Sequence, residues 1–180
     1  MQVRRTAVLA LVLAAVLSAC GGHASDHTAS IVPGQQGDIA FAQMMIPHHD
    51  QAVEMADLAL ERQTSPEVQA LAQQIKAAQD PEIEQMTGWL TQWGASTSGE
   101  DHSGMAGMVS ESDLEALAGL SGAAFDEKWL TLMIAHHEGA LTMAQQVIGT
   151  TSEASVRTLA EAIVAGQTAE IAEMKALLNR

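Results

Sequence analysis

Two stretches of this chain carry the same ligand-type side chains in the same order. Met45-Ile46-Pro47-His48-His49-Asp50-Gln51-Ala52-Val53-Glu54-Met55-Ala56 matches Met133-Ile134-Ala135-His136-His137-Glu138-Gly139-Ala140-Leu141-Thr142-Met143-Ala144 at a constant offset of 88. Four of the seven histidines and four of the ten methionines lie inside these copies. Neutral imidazole binds many transition metals, and thioether favours soft ions such as Cu(I). Metal coordination is therefore the chemistry these residue types could do.

A helix would aim them together. At about 100° per residue, Met45, His48, His49, Ala52 and Met55 share one face about 120° wide, with Glu54 on the opposite face. Met133, His136, His137, Ala140 and Met143 repeat the arrangement. The bland readings stand beside this one: methionine at helical spacing packs cores well, and a single buried histidine is commonly a hydrogen-bonded core residue. Paired histidines in both copies weigh against that, because burying four imidazoles costs free energy unless each finds a partner.

A ferritin-type di-iron centre needs inward glutamates with Glu-x-x-His spacing. No histidine here has a glutamate three residues before it. Structural zinc draws on Cys and His, and the single cysteine is Cys20. The mixture of histidine and thioether suits copper, Cu(I) above all, with Cu(II) or zinc at the histidines left open. Asp50 and Glu138 follow the His pairs and are either acceptors that orient the imidazoles or solvated helix residues. His102, Met105 and Met108 form a second cluster in a Gly/Ser-rich stretch, read either as a capture site or as an incidental linker. His23 and His27 read as solvent-exposed.

The elements that must position these residues follow from periodicity and caps. Apolar spacing of three and four runs from Asp38, a plausible N-cap, to Leu60, interrupted by Pro47, which should kink the helix or mark the start of its main segment. Ser65-Pro66-Glu67 is a strong start signal for a second helix. That helix runs to about Trp93 and stops at Gly94, with Pro81 a possible bend. Residues 95–108 read as a linker, and Ser110 to Leu120 allows a short helix. Two further helices are expected at about Ser121–Ile148, ending before Gly149, and about Ser152–Leu178.

The offset of 88 persists through the second helix of each half: Val68 with Val156, Leu71 with Leu159, Ile75 with Ile163, Gln79 with Gln167, Ile83 with Ile171, Met86 with Met174, Leu90 with Leu178. Each half, about 37–94 and 121–180, is then a helical hairpin. One hairpin cannot bury its own apolar stripe, so the expected fold is an all-α four-helix bundle made of two repeats. Met86 and Met174 could face the histidines. Gln79 and Gln167 sit on the seam as hydrogen-bond caps or as register markers. Trp89, Trp93 and Trp129 read as core anchors at the bundle ends.

The amino-terminal end has a different role. Arg4 and Arg5 precede an apolar run from Thr6 to Leu17, too short for a membrane span of about 20 residues. The run is followed by Leu17-Ser18-Ala19-Cys20. This reads as a signal segment over 1–19 with Cys20 as the lipidated residue, and 20–36 as a flexible tether. A plain secretory signal with an incidental cysteine is the alternative. Loss of residues 1–19 removes two arginines and takes the formal charge from -14 to -16. Such an acidic chain lacks the basic surface that nucleic acid requires.

The doubled Met-Ile-x-His-His-x-x-Ala-x-x-Met-Ala pattern, each copy followed by Gln-x-x-x-Ile-x-x-Met, resembles a bacterial ferritin-like domain-of-unknown-function family that includes the copper-binding protein CopM. The resemblance covers about residues 36–180. It implies an exported, often lipid-anchored helical bundle, linked in some members to copper binding and resistance, and no enzymatic activity. It also implies Met45, His48, His49, Met55, Met133, His136, His137 and Met143 as ligands, with Met86 and Met174 behind them.

The expected function is a lipoprotein on the outer side of the membrane that sequesters Cu(I) or hands it to a copper-handling partner. The rivals are a metal-free envelope scaffold with a hydrogen-bonded histidine core and, more distantly, a copper oxidase or metal-dependent hydrolase. Oligomeric state is open.

Overall fold

A computed structural model describes residues 34–97 and 105–180. The described residues form five helices and no strand, in agreement with the all-α expectation. Four are long: α1 (Gln35–Leu60), α2 (Pro66–Trp93), α4 (Gly122–Ile148) and α5 (Ala154–Leu178); α3 (Glu111–Ala118) is two turns. None of these helices is long and apolar enough to cross a membrane. Cys20, His23, His27, His102 and the segments read as signal and most of the tether lie outside the described residues.

Local chemistry explains both ends of α2 and the start of α3. The Ser65 hydroxyl accepts the backbone N–H of Val68 at 3.3 Å, with Pro66 at the first helical position. Gly94 ends α2 in the left-handed region at φ 66, a conformation that costs glycine little, and its N–H returns to the last turn. Ser110 caps α3 through the N–H of Asp113.

Asp38 is not the N-cap of α1. Gly34, at φ 101, turns the chain into the helix at Gln35, so Asp38 falls inside the first turn and is buried. Its counterpart across the repeat, Asp126 on α4, accepts the backbone N–H of Ser65 at 3.0 Å and ties α4 to the start of α2. Helices α1 and α2 continue through Pro47 and Pro81; each proline withholds one backbone donor and leaves the rest of the ladder in place.

α1 packs against α2 and α4 against α5 as two hairpins, and α1 against α4 joins them. Gln74 on α2 donates to Glu170 on α5 at 3.2 Å across the remaining side of the bundle. The apolar core divides into two clusters. One holds the end of α1, the start of α2, the start of α4 and the end of α5, around Phe125 and Trp129. The other holds the start of α1, the end of α2, the end of α4 and the start of α5. Trp129 is fully buried and its indole N–H donates to the Met55 carbonyl at 2.8 Å. Trp89 and Trp93 are half-buried, stack at 5.9 Å and pack on the second cluster.

Candidate metal centre

A polar layer separates the two apolar clusters. Every long helix contributes two residues to it: His48 and His49 from α1, Gln79 and Glu82 from α2, His136 and His137 from α4, Gln167 and Glu170 from α5. All four imidazoles are buried. The rings of His48 and His136 stack with centroids 3.8 Å apart and planes tilted by 34°, so the pseudo-twofold relation of the repeats brings these two face to face.

The outer pair is held by carboxylates. His49 Nε2 lies 2.8 Å from Glu82 Oε2, and His137 Nε2 lies 2.8 Å from Glu170 Oε2. A carboxylate only accepts, so in each pair the ring donates from Nε2, and in the neutral ring the lone pair is then on Nδ1. Neither Nδ1 has a hydrogen-bond partner. Neither ring nitrogen of His48 or of His136 makes a well-formed hydrogen bond either, although the Ala106 carbonyl lies near the first ring and the His48 carbonyl near the second. The layer thus contains six buried imidazole nitrogens without a well-formed hydrogen bond to protein, in a setting where buried polar groups are nearly always paired.

These surroundings keep the inner histidines neutral. Burial above all, then the neighbouring His49, lowers the pKa of His48 from 6.5 to about 3, against a weaker upward pull from the Ala106 carbonyl. His136 is likewise held well below its ordinary value, first by burial and then by His48 and His137. Neutral imidazole is the form that coordinates metal.

The buried thioethers are divided between the two apolar clusters. Met55, Met133 and Met174 belong to one apolar cluster, and Met45, Met86 and Met143 to the other. Each set mixes the two repeats and contains one methionine of each equivalent type, so the bundle does not give each hairpin a thioether set of its own. Among the described residues, no three His, Cys, Asp or Glu side chains are grouped so as to hold a metal ion by themselves.

The linker closes one side of the layer. Residues 105–109 form a strap across α1 and α4. Gln51 clasps it twice: its Oε1 accepts the Val109 N–H at 2.7 Å, and its Nε2 donates to the Val109 carbonyl at 2.9 Å. The equivalent position on α4 is Gly139, where any side chain would collide with the Ala106 backbone. Gly107, at φ 85, passes so close that a Cβ would lie 2.8 Å from the His136 carbonyl. The two repeats therefore differ at one matched position, a clasp on α1 and a groove on α4. Met105 on the strap packs on the cluster of Met45, Met86 and Met143, whereas Met108 is half-buried.

Several side chains have roles other than those the sequence suggests. Asp50 and Glu138 are exposed, and Glu138 pairs with Lys175 at 3.0 Å, so the solvated reading holds and neither orients an imidazole. Gln79 and Gln167 are in the layer, yet neither polar atom of Gln79 nor Oε1 of Gln167 makes a hydrogen bond. The orienting carboxylates are Glu82 and Glu170, which sequence reasoning missed. They too are related by the offset of 88, and that repetition was the available signal. A concavity of about 420 Å³ along Asp50, Glu54, Asp57 and Glu61 is an open acidic groove on the outer side of α1 and contains none of the layer residues.

The comparisons with known proteins agree with this architecture. Residues 38–178 match the family described as "Domain of unknown function (DUF305)". A DUF305 fragment from Deinococcus radiodurans is 33% identical with a TM-score of 0.76, covering 83% of this chain and 99% of that one. A DUF305 protein from Streptomyces coelicolor is 32% identical with a TM-score of 0.75, covering 79% and 92%. CopM in its Cu(I)-bound form is 32% identical with a TM-score of 0.67, covering 79% and 95%, and it is also known in Cu(II)-bound and Ag-bound forms. No curated protein matches the chain. With the family match spanning residues 38–178 and these solved relatives above 30% identity, the chain belongs to the DUF305 family.

Proposed function

We propose that this protein binds copper, with Cu(I) preferred, through the imidazoles of the buried layer and the thioethers beside it. The observation that carries the reading is the set of six unpaired ring nitrogens. Leaving a buried polar group unsatisfied costs about 1–3 kcal/mol, and a metal ion is the partner that accepts several nitrogen lone pairs at once. Nδ1 of His49 and His137, freed by the carboxylates on Nε2, and one nitrogen each of His48 and His136 are the nitrogen donors. Met45, Met55, Met133 and Met143, with Met86 and Met174, are the sulfur donors. Six buried thioethers make the donor set soft, which favours Cu(I) over Cu(II) or zinc. The Cu(I)-, Cu(II)- and Ag-bound forms of CopM support metal binding as the chemistry of this family.

The role is sequestration or delivery on the outer side of a membrane, with Cys20 as the lipid anchor and a copper-handling protein as donor or acceptor. It is binding and exchange, without catalysis. A metal-free scaffold is the less favoured reading, since a hydrogen-bonded histidine core would pair the nitrogens that are left unpaired here.

The test is an anaerobic titration of residues 21–180 with Cu(I) against a chromophoric chelator, beside a variant with His48, His49, His136 and His137 all changed to Ala. Stoichiometric uptake lost in the variant is expected. Failure of the unsubstituted protein to compete would place the scaffold reading first.

A further inference from the structure

The strap closes the layer over α1 and α4, but α2 and α5 pack together less closely than the other neighbouring long helices. A cleft there has a rim of three small exposed residues, Ala78, Ala162 and Gly166. Its volume is about 30 Å³, room for one water or one bare ion and too little for an organic molecule. Its floor is polar and reaches the layer: Gln79 and Gln167, with the carboxylates that hold His49 and His137. Gln79 is 2% exposed, and neither of its polar atoms has a partner.

The two carboxylates differ in freedom. Glu170 is pinned at both oxygens, Oε2 by His137 and Oε1 by Gln74, and its side chain is 6% exposed. The residue equivalent to Gln74 in the second repeat is Ala162, so no amide reaches Glu82 in the same way. Glu82 is held only through Oε2 and is 18% exposed. Its other oxygen has no protein partner among the described residues.

We infer that the α2–α5 cleft is the route by which a cation reaches and leaves the histidine layer, with Glu82 as the first oxygen donor it meets and the unpaired amide oxygens of Gln79 and Gln167 beyond it. The inference rests on the metal-binding reading above. An acidic cleft concentrates cations at its mouth, and the carboxylate that receives the ion is the one bonded to His49. A cation arriving at Glu82 is therefore one side chain from an imidazole with a free Nδ1 lone pair.

The test is stopped-flow transfer of Cu(I) between a weak chelator and the purified protein, with the equilibrium affinity measured on the same variants. Gly166→Leu and Ala162→Leu narrow the rim. Gly166 is exposed, a Cβ there meets nothing within 4 Å, and leucine is the better helix former, so the fold is retained. Both variants should slow uptake and release by the same factor and leave the affinity unchanged. Glu82→Gln should slow uptake about tenfold and flatten its dependence on ionic strength, as loss of steering requires.

Ala165→Leu, exposed on the same helix and outside the cleft lining, should change nothing, and Gln51→Ala, which releases the strap, should not accelerate uptake. Unchanged rates in the rim variants would overturn the route while leaving the binding reading intact. Faster uptake in Gln51→Ala would move the route beneath the strap. Absence of uptake by the unsubstituted protein would overturn both proposals.

Discussion

Mild acid should destabilise the metal-free protein through His48 and His136. In the unfolded chain both take up a proton near pH 6.5; in the folded chain His48 does so only near 3, and His136 only well below its ordinary value. Between those limits the unfolded state binds more protons, so stability falls as pH falls and is fully regained above 6.5. One pKa unit corresponds to about 1.4 kcal/mol. At pH 5, about 1.5 units below the unfolded value, His48 alone removes about 2 kcal/mol. His136, held low in the same direction, adds to this loss, which is a sizeable share of the about 5–15 kcal/mol typical of a domain. The assay is urea unfolding at pH 7.5 and pH 5 with chelator present, on the unsubstituted protein and on His48→Leu/His136→Leu. The double variant should be as stable or more stable at pH 7.5, since it removes unpaired buried polar atoms, and should lose most of the acid sensitivity. Equal stability of the unsubstituted protein at the two pH values, or an undiminished pH dependence in the variant, would refute the argument that these imidazoles are buried and unpaired.

Other expectations concern the frame around the layer. Gly139→Ala should cost about 1–3 kcal/mol, the usual range for overpacking, because the strap backbone occupies the space its Cβ needs; an unchanged urea midpoint would mean that the strap is not seated there. Trp129→Phe keeps a large ring and removes only the bond from the indole N–H to the Met55 carbonyl, so thermal unfolding should report a loss of about 1 kcal/mol plus the smaller ring's packing deficit. Saturating Cu(I) should raise the melting temperature, since a ligand bound only by the folded state must stabilise it, and chelation should return it to the metal-free value.

Much of this architecture was readable before any coordinates, because the repeat constrains it twice. Matched positions at a constant offset of 88 predicted two equivalent hairpins, and Ser65-Pro66 and Gly94 marked the ends of α2 through caps that act locally. What failed depended on which way a side chain points or on contacts distant in sequence. Asp50 and Glu138 are next to histidines along the chain, but a step of one residue turns about 100° around the helix and carries them to solvent. Glu82 and Glu170 look like ordinary surface acids, and only packing of α1 on α2 and of α4 on α5 brings them to His49 and His137. Asp38 resembled a cap because its residue type suits one, whereas Gly34 starts the helix four residues earlier. The strap was unreadable from a Gly/Ser-rich composition, although the replacement of Gln51 by Gly139 at an otherwise matched position records its docking.

X-ray absorption at the copper edge of the anaerobically loaded protein tests the central claim most directly, because it identifies the atoms bound to the metal. The account predicts a mixed shell of imidazole nitrogen and thioether sulfur, with the nitrogen signal lost when His48, His49, His136 and His137 are replaced. A shell of oxygen and nitrogen without sulfur, or a nitrogen signal that survives the four replacements, would contradict it.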